Sequence, residues 1–490
     1  MRYWRGTRVA RAVAGGSRAA VGGSRGVASG SRIVAAIIAS VLHCTVVSPA
    51  WACDANSDAT EVCPDTRWPT LVGAQYTFVR QHQSRLDSPY AGRLSLDPNG
   101  DTEQTHTIGF YFGWAPTSWA QAYLDVEKFM GAGVSGSVGL AGLTNGDVVR
   151  EGAAGLPKVF YIARQYVRFM LPLAPGATHV DPAQDQLGGN EADSRLELKF
   201  GLMAASDDFD HNRYASSTRT QFMNWSLWAN SAWDYAANTR GYTYGAVFGY
   251  VGPHWSLKYG AYLMPVKANG QELEDVPRRA RGENLELTLT PPGVGTIVRL
   301  LAYRNTARMG IYRDAVAIAA ANGTVPDIVA DDREGRHKTG FGINIEQPLA
   351  DDGATGVFAR VGWNDGRTES FAFTEVDRLV SVGGLLSGRH WRRPEDRLGA
   401  AVAVEGLSGP HRDYLAAGGS GFLLGDGRLT YGSEQIFEVF YSAQLASIDL
   451  TPKFPLKIQL SPDFQYIRNP AYNRDRGPVK FWAVRLHLEL

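Results

Sequence analysis

Strand-length stretches that alternate apolar and polar residues recur along this chain, and after residue 52 no apolar run approaches the roughly 20 residues a membrane helix needs. A chain of this kind crosses a bilayer as a closed barrel or not at all. The last ten residues show the pattern most clearly. Trp482, Val484, Leu486, Leu488 and Leu490 share one face of an extended strand, and Ala483, Arg485, His487 and Glu489 share the other. One face suits hydrocarbon and the other water. An edge strand of a soluble sheet can alternate in the same way, so this segment alone does not decide.

The rest of the chain repeats it. His106, Ile108, Phe110, Phe112 and Trp114 share one parity; Ala120, Ala122, Leu124 and Val126 oppose Gln121, Tyr123, Asp125 and Glu127. Val167, Phe169 and Leu171 oppose Arg164, Tyr166 and Arg168, and Leu196, Leu198, Phe200 and Leu202 oppose Glu197 and Lys199. Further strands are expected at 71–82, 241–251, 255–264, 283–290, 296–306, 337–347, 354–364, 370–382, 396–407, 434–446 and 455–468. With the closing strand this makes about 16, the even count a single-chain barrel requires. The expected fold is therefore all-β: a transmembrane antiparallel β-barrel with long extracellular or lumenal loops. Short connections such as Gly252-Pro253-His254 belong on the periplasmic side, and long ones such as 129–158, 265–282, 307–336 and 408–433 outside or in the lumen. Abundant glycine (55), tryptophan and tyrosine (33 together) and a slightly negative mean hydropathy fit a polar lumen averaged with a lipid face.

Residues 1–52 read as a secretory signal peptide. Seven arginines and no acidic residue precede an apolar core, Ile33–Val47, that ends at Ala50-Trp51-Ala52. Residues 53–70 are expected to form an N-terminal periplasmic segment and 71–490 the barrel domain. Without the leader's seven arginines, 42 basic residues face 49 acidic ones, a net charge of −7 that offers nucleic acid no footprint. Cys53 and Cys63 are then the remaining cysteines in an oxidising compartment, and a disulfide between them is expected.

Other chemistries lack support. Asp208 to Asn212 begins like a calcium loop, but Arg213 stands where glycine should turn the chain and Arg219 where a bidentate glutamate should be. No phosphate loop, metal-binding cysteine pattern or G-x-S-x-G nucleophile turn occurs. No cofactor, metal or catalytic residue is expected.

Four long segments resemble the carbohydrate-selective porins of the OprB type: Asp207 to Gly245 (DDFDHNRYASSTRTQFMNWSLWANSAWDYAANTRGYTYG), Gly362 to Arg378, His411 to Ser442, and Pro462 to Arg476. The resemblance runs from about Gln75 to the C-terminus. It implies a 16-stranded outer-membrane barrel that passes sugars by facilitated diffusion. Ser420, Ser433 and Leu490 depart from the family pattern, where a larger apolar residue, a proline and an aromatic residue are expected.

A sugar presents apolar C–H faces and a ring of hydroxyls, so a selective pore needs aromatic surfaces beside charged or amide groups. Asn224, Trp225, Trp228, Asn230, Trp233, Asp234 and Tyr235 supply that mixture in one span, on both parities, and are expected in a loop or short helix inside the barrel. An interfacial girdle or a small core under the loop would use the same residues. A second set lies on lumen parity: Arg80, Asp125, Glu127, Arg164, Arg168, Glu197 and Lys199, of which Glu127, Arg164 and Arg168 are the foremost candidates. Opposed rows of such charges would set up a transverse field; the structural alternative is bracing of the wall. The partners expected are a carbohydrate and outer-membrane lipid, with a monomer and a homotrimer both compatible. A barrel enzyme of lipase or protease type, with His211 or His411 beside a serine, and a general diffusion porin are the alternatives.

Overall fold

A computed structural model describes residues 71–147, 155–451 and 454–490. The leader, the 53–70 segment, Cys53 and Cys63 lie outside the described residues. In chain order the strands are β1 (Leu71–Gln83), β2 (Asp101–Thr117), β3 (Ala120–Gly131), β4 (Tyr161–Pro172), β5 (Ala177–Val180), β6 (Gly189–Ala192), β7 (Arg195–Met203), β8 (Thr243–Val251) and β9 (Trp255–Leu263). They continue with β10 (Arg281–Leu289), β11 (Ile297–Met309), β12 (Arg333–Ala350), β13 (Thr355–Asn364), β14 (Arg378–Ser387), β15 (Arg397–Gly406), β16 (Glu434–Thr451), β17 (Phe454–Arg468) and β18 (Val479–Glu489). All except β5 and β6 form one closed antiparallel barrel of 16 strands, in which β1 pairs with both β2 and β18. Closure removes every sheet edge, so each strand finds its backbone partners without water.

Alternation sorts the two faces as expected. Trp482 and Val484 are exposed on the outside of β18, whereas Ala483, Arg485 and His487 are buried toward the lumen. Phe112, Leu198, Phe200, Phe248, Val380, Val382, Val402 and Val404 continue an exposed apolar belt suited to a lipid environment. No helix among the described residues is long and apolar enough to cross a membrane. His487 also accepts or shares a hydrogen bond with Thr77 across the β1–β18 seam (2.8 Å). We therefore expect Leu488→Asp to impair assembly far more than His487→Asn, because only the first puts a charge against lipid. Heat-modifiable migration of the two variants on gels checks this, and a worse His487→Asn would reverse the assigned faces.

Three local features depart from simple alternation. In β4, Ala163 is an extra residue between Asp125↔Arg164 and Val126↔Ile162, so Ile162 points outward while Arg164, two residues on, points inward. The strand expected at 370–382 instead begins at Arg378, and 370–377 enters the lumen as a loop. Its alternating Phe371 and Phe373 mimic a strand, but Phe373 stacks on Trp225 (5.1 Å) and lies 5.5 Å from Tyr235 inside the barrel. The connection from β4 to β7 is on the short-turn side, yet it carries the β5–β6 hairpin.

Candidate functional site

The lumen is occupied by its own loops. Residues 204–242, between β7 and β8, run inside the barrel, and acidic or basic groups on the wall fasten them. Glu438 on β16 accepts from the Met223 and Asn224 backbone N–H groups (2.6 and 2.9 Å). Lys338 on β12 pairs with Asp234 (3.1 Å), whose carboxylate also accepts from the Phe371 and Ala372 N–H groups. Arg360 on β13 pairs with Asp210 (3.1 Å) and donates to the Leu227 and Ala215 carbonyls. Single wall side chains thus hold loop segments distant in sequence.

The aromatic residues of this loop lie within that packing. Trp225, Trp228, Trp233, Asp234 and Tyr235 are all buried, with Trp225 against Trp228 (4.7 Å) and Trp233 against Tyr235 (5.0 Å). The Trp233 indole N–H donates to Asn284 on β10 (3.0 Å). Among the candidates of the first set, this is the geometry of a core under the loop surface. Mixed parity reported a short helix, Trp225–Trp228, begun by Asn224, whose side chain accepts from the Ser226 N–H.

The charged candidates are brought together. Asp125, Glu127, Arg164, Arg168, Glu197 and Lys199 all face the lumen from the adjacent strands β3, β4 and β7. Arg164 meets Asp125 at 3.0 Å, Asp207 at 2.7 Å and Asp185 at 3.4 Å. Arg168 bridges Glu191 and Glu197, both at 2.6 Å, and Arg195 joins the same two carboxylates. Lys199 pairs with Asp208 (2.9 Å) and Arg219 with Glu127 (3.1 Å). Acid and base therefore interleave in one sector of the wall and do not stand in opposed rows. Aromatic rings back the cations: Lys199 lies 4.1 Å from the Tyr166 ring centre, Arg164 5.4 Å from Tyr242, and Arg219 5.5 Å from Phe129. Arg164, Arg168, Arg195, Glu197, Asp185, Glu191, Asp207 and Asp208 are half-buried, unlike the sealed aromatic core beside them.

Burial would raise the Asp207 carboxyl, but the charge and paired hydrogen bonds of Arg164 outweigh it and hold it at about 2. Asp185, at the tip of the inward-folded hairpin, is instead pushed up by burial. Asp185, Glu191, Asp207, Asp208 and Arg219 have no periodic signature in the sequence. They belong to a hairpin and a loop that only the fold brings to the wall.

Arg80 corrects the parity reading. It is exposed on the outside of β1, where Val79 faces in against Met223 and Ala483. Val72, Ala74, Tyr76 and Phe78 share the parity of Arg80, whereas Gln75, Thr77, Gln81 and Gln83 share the inward parity of Val79, so alternation along β1 itself places Arg80 on the outer face.

His411 is buried, 3.2 Å from Asp377 and stacked on Tyr312 at 4.2 Å. The nearby Ser408 hydroxyl donates to the Gly366 carbonyl and caps the helix Gly409–Ala416 by accepting from the His411 N–H. Burial would raise the Asp377 carboxyl; the adjacent His411 charge outweighs it and holds it at about 2. The His411 ring is thus packed between Asp377 and Tyr312 inside the barrel.

A family model described as carbohydrate-selective porin, OprB family, matches residues 120–490. The chain belongs to this family. This porin is accordingly an outer-membrane channel through which carbohydrates diffuse. Its fold is similar to the high-pH structure of Pseudomonas putida OprB, at 15% identity and a TM-score of 0.62, covering 86% of this chain and 94% of that one. The outer membrane channel DcaP of Acinetobacter baumannii matches at 11% identity and a TM-score of 0.44, over 86% of this porin and 96% of DcaP. No curated protein sequence matches.

Proposed function

We propose that sugars cross this porin passively along the half-buried charged sector of β3, β4 and β7, between the inward loop and the β5–β6 hairpin. The observation that carries this reading is the interleaved set of Arg164, Arg168, Arg195 and Lys199 with Asp185, Glu191, Glu197, Asp207 and Asp208. Each paired group retains donor or acceptor capacity toward the lumen, so a polyhydroxylated solute can replace its hydration water one hydrogen bond at a time. An apolar solute gains nothing there. Binding stays weak because every charge already has a partner, which favours release and hence flux.

No catalytic step is included in this reading, and the buried setting of His411 supports leaving it out. The tryptophans are assigned to holding the loop, with the sugar route beside them. Arg164→Ala or Arg168→Ala should shift the ion selectivity toward cations and lower sugar permeation, since each leaves carboxylates uncompensated. Reversal potentials in planar bilayers and liposome swelling measure the two effects on one preparation. Unchanged selectivity and permeation in both variants would place the route elsewhere in the lumen.

A further inference from the structure

The β5–β6 hairpin leaves the short-turn end of β4 and turns back into the lumen, where its tip lies against the wall. The Leu187 N–H donates to the Tyr123 hydroxyl (3.1 Å), and the buried Leu187 side chain sits over Gly113, where a Cβ would come within 2.9 Å of it. The Gln75 amide donates to Gln184 (3.4 Å), and Asp185 reaches Arg164 (3.4 Å). Residues 181–188 thus rest on the inner faces of β1 to β4. The stem is pinned separately, because Glu191 pairs with Arg168 (2.6 Å) and Arg195 (2.8 Å). Gly188 and Gly189, the latter at φ 142°, join stem to tip and let the backbone pivot there.

The tip is held where acids outnumber bases. Arg164 meets Asp125 (3.0 Å), Asp207 (2.7 Å) and Asp185 (3.4 Å), so three carboxylates share one guanidinium. The other cation beside Asp185, Lys199, is committed to Asp208 (2.9 Å), and Tyr111, Tyr123 and Tyr166 complete the surroundings. On the hairpin itself His179 and Asp181 pair with each other in solvent (3.7 Å). Asp125 and Asp185 face one another in hydrogen-bonding contact, and each has a buried Oδ1 with no donor among the described residues. Two carboxyl groups can hydrogen-bond only through a proton, since the ionised form accepts and does not donate.

We propose that Asp125 and Asp185 share one proton that holds the hairpin tip against the wall, and that its loss to lumen water releases the tip and closes the sugar route. The inference rests on the reading that the route runs beside the hairpin. With both carboxyls ionised, three negative charges crowd Arg164, and Asp185 is relieved by swinging into water. Burial pushes the docked Asp185 carboxyl up, whereas a released tip returns it to the ordinary range of roughly 4. Docking therefore takes up a proton: it is strongest in acid and weakens as the pH rises through the docked value, by up to about tenfold per pH unit. The docked tip lies along the wall, and the released tip stands in the space between wall and inward loop.

The test records single channels of the purified full chain in planar bilayers, in salt without sugar, from about pH 5 to about pH 9. Wild type should show a low-conductance level whose occupancy relative to the open level grows with pH, by up to about tenfold per unit. Asp125→Asn and Asp185→Asn should lose this dependence and stay open at high pH, because an amide donates to the remaining carboxylate without a proton. Leu187→Ala should close at lower pH, since its docked tip has lost packing on the wall. Replacing residues 181–188 by a short glycine link should abolish closure. A wild type without pH-dependent closure overturns the proposal, as does closure of equal size in Asp125→Asn or in the glycine-link variant. Sugar block at about pH 5, where the tip is held, is read separately. Normal block without pH-dependent closure overturns the switch and leaves the sugar route standing, whereas closure without any sugar block supports the switch and overturns the route.

Discussion

Asp210→Ala should free the inward loop and raise single-channel conductance severalfold while the barrel remains folded. Asp210 stands where the loop leaves β7, and its carboxylate holds Arg360, the Asn344 amide (2.8 Å) and the Asn230 N–H (2.8 Å) together. Its removal leaves the Arg360 guanidinium fully buried with backbone carbonyls alone. Breaking one partner of such a pair costs about 3–5 kcal/mol, because the surviving charge keeps its desolvation penalty. That cost falls on the loop, since the strands retain their ladders and their lipid-facing belt. Bilayer recordings measure the conductance, and heat-modifiable migration reports the barrel. Wild-type conductance in a folded Asp210→Ala protein would mean that other fastenings, such as Glu438, hold the loop without it.

Trp233→Ala should have a comparable effect through packing. The side chain touches Tyr235 and Phe209 and donates to Asn284, so truncation leaves a cavity and an unpaired amide, about 3–5 kcal/mol for a buried tryptophan. The functional signature distinguishes two roles. If Trp233 supports the loop, conductance rises and sugar block of the ion current weakens together. If its ring were a contact surface for sugar, block would weaken at unchanged conductance. Burial of the ring predicts the first result.

The barrel is legible in the sequence because lipid imposes one rule on every strand, and β18 or β7 shows it without interruption. Its exceptions arise where the lumen is filled with protein. Val79 is apolar on the inner face because Met223 covers it, although Gln75, Thr77, Gln81 and Gln83 keep the rest of that face of β1 polar. Phe371 and Phe373 imitate a strand because they pack on the loop. Ala163 shifts the parity of β4 by one, yet Arg164 and Arg168 are correctly read as lumenal because the bulge precedes both. The charged sector is half legible. Its wall members share parity within β3, β4 and β7, whereas Asp185, Glu191, Asp207 and Asp208 arrive from connections whose fold leaves no periodic trace. The aromatic span Trp225–Tyr235 is visible as a loop inside the barrel, but composition alone does not distinguish a pore lining from a loop core. Both demand aromatic rings with polar partners.

The central claim, that sugars are bound in passing by the charged sector, is tested most directly by sugar block of single-channel ion current. Neutral sugars of graded size would be titrated against wild type and Arg168→Gln. Saturable block in wild type, weakened in Arg168→Gln at similar open-channel conductance, is the result expected of a site built on Arg168, Glu191 and Glu197. Block that never saturates, depends on solute size alone and is the same in both proteins would contradict it and describe a general diffusion pore.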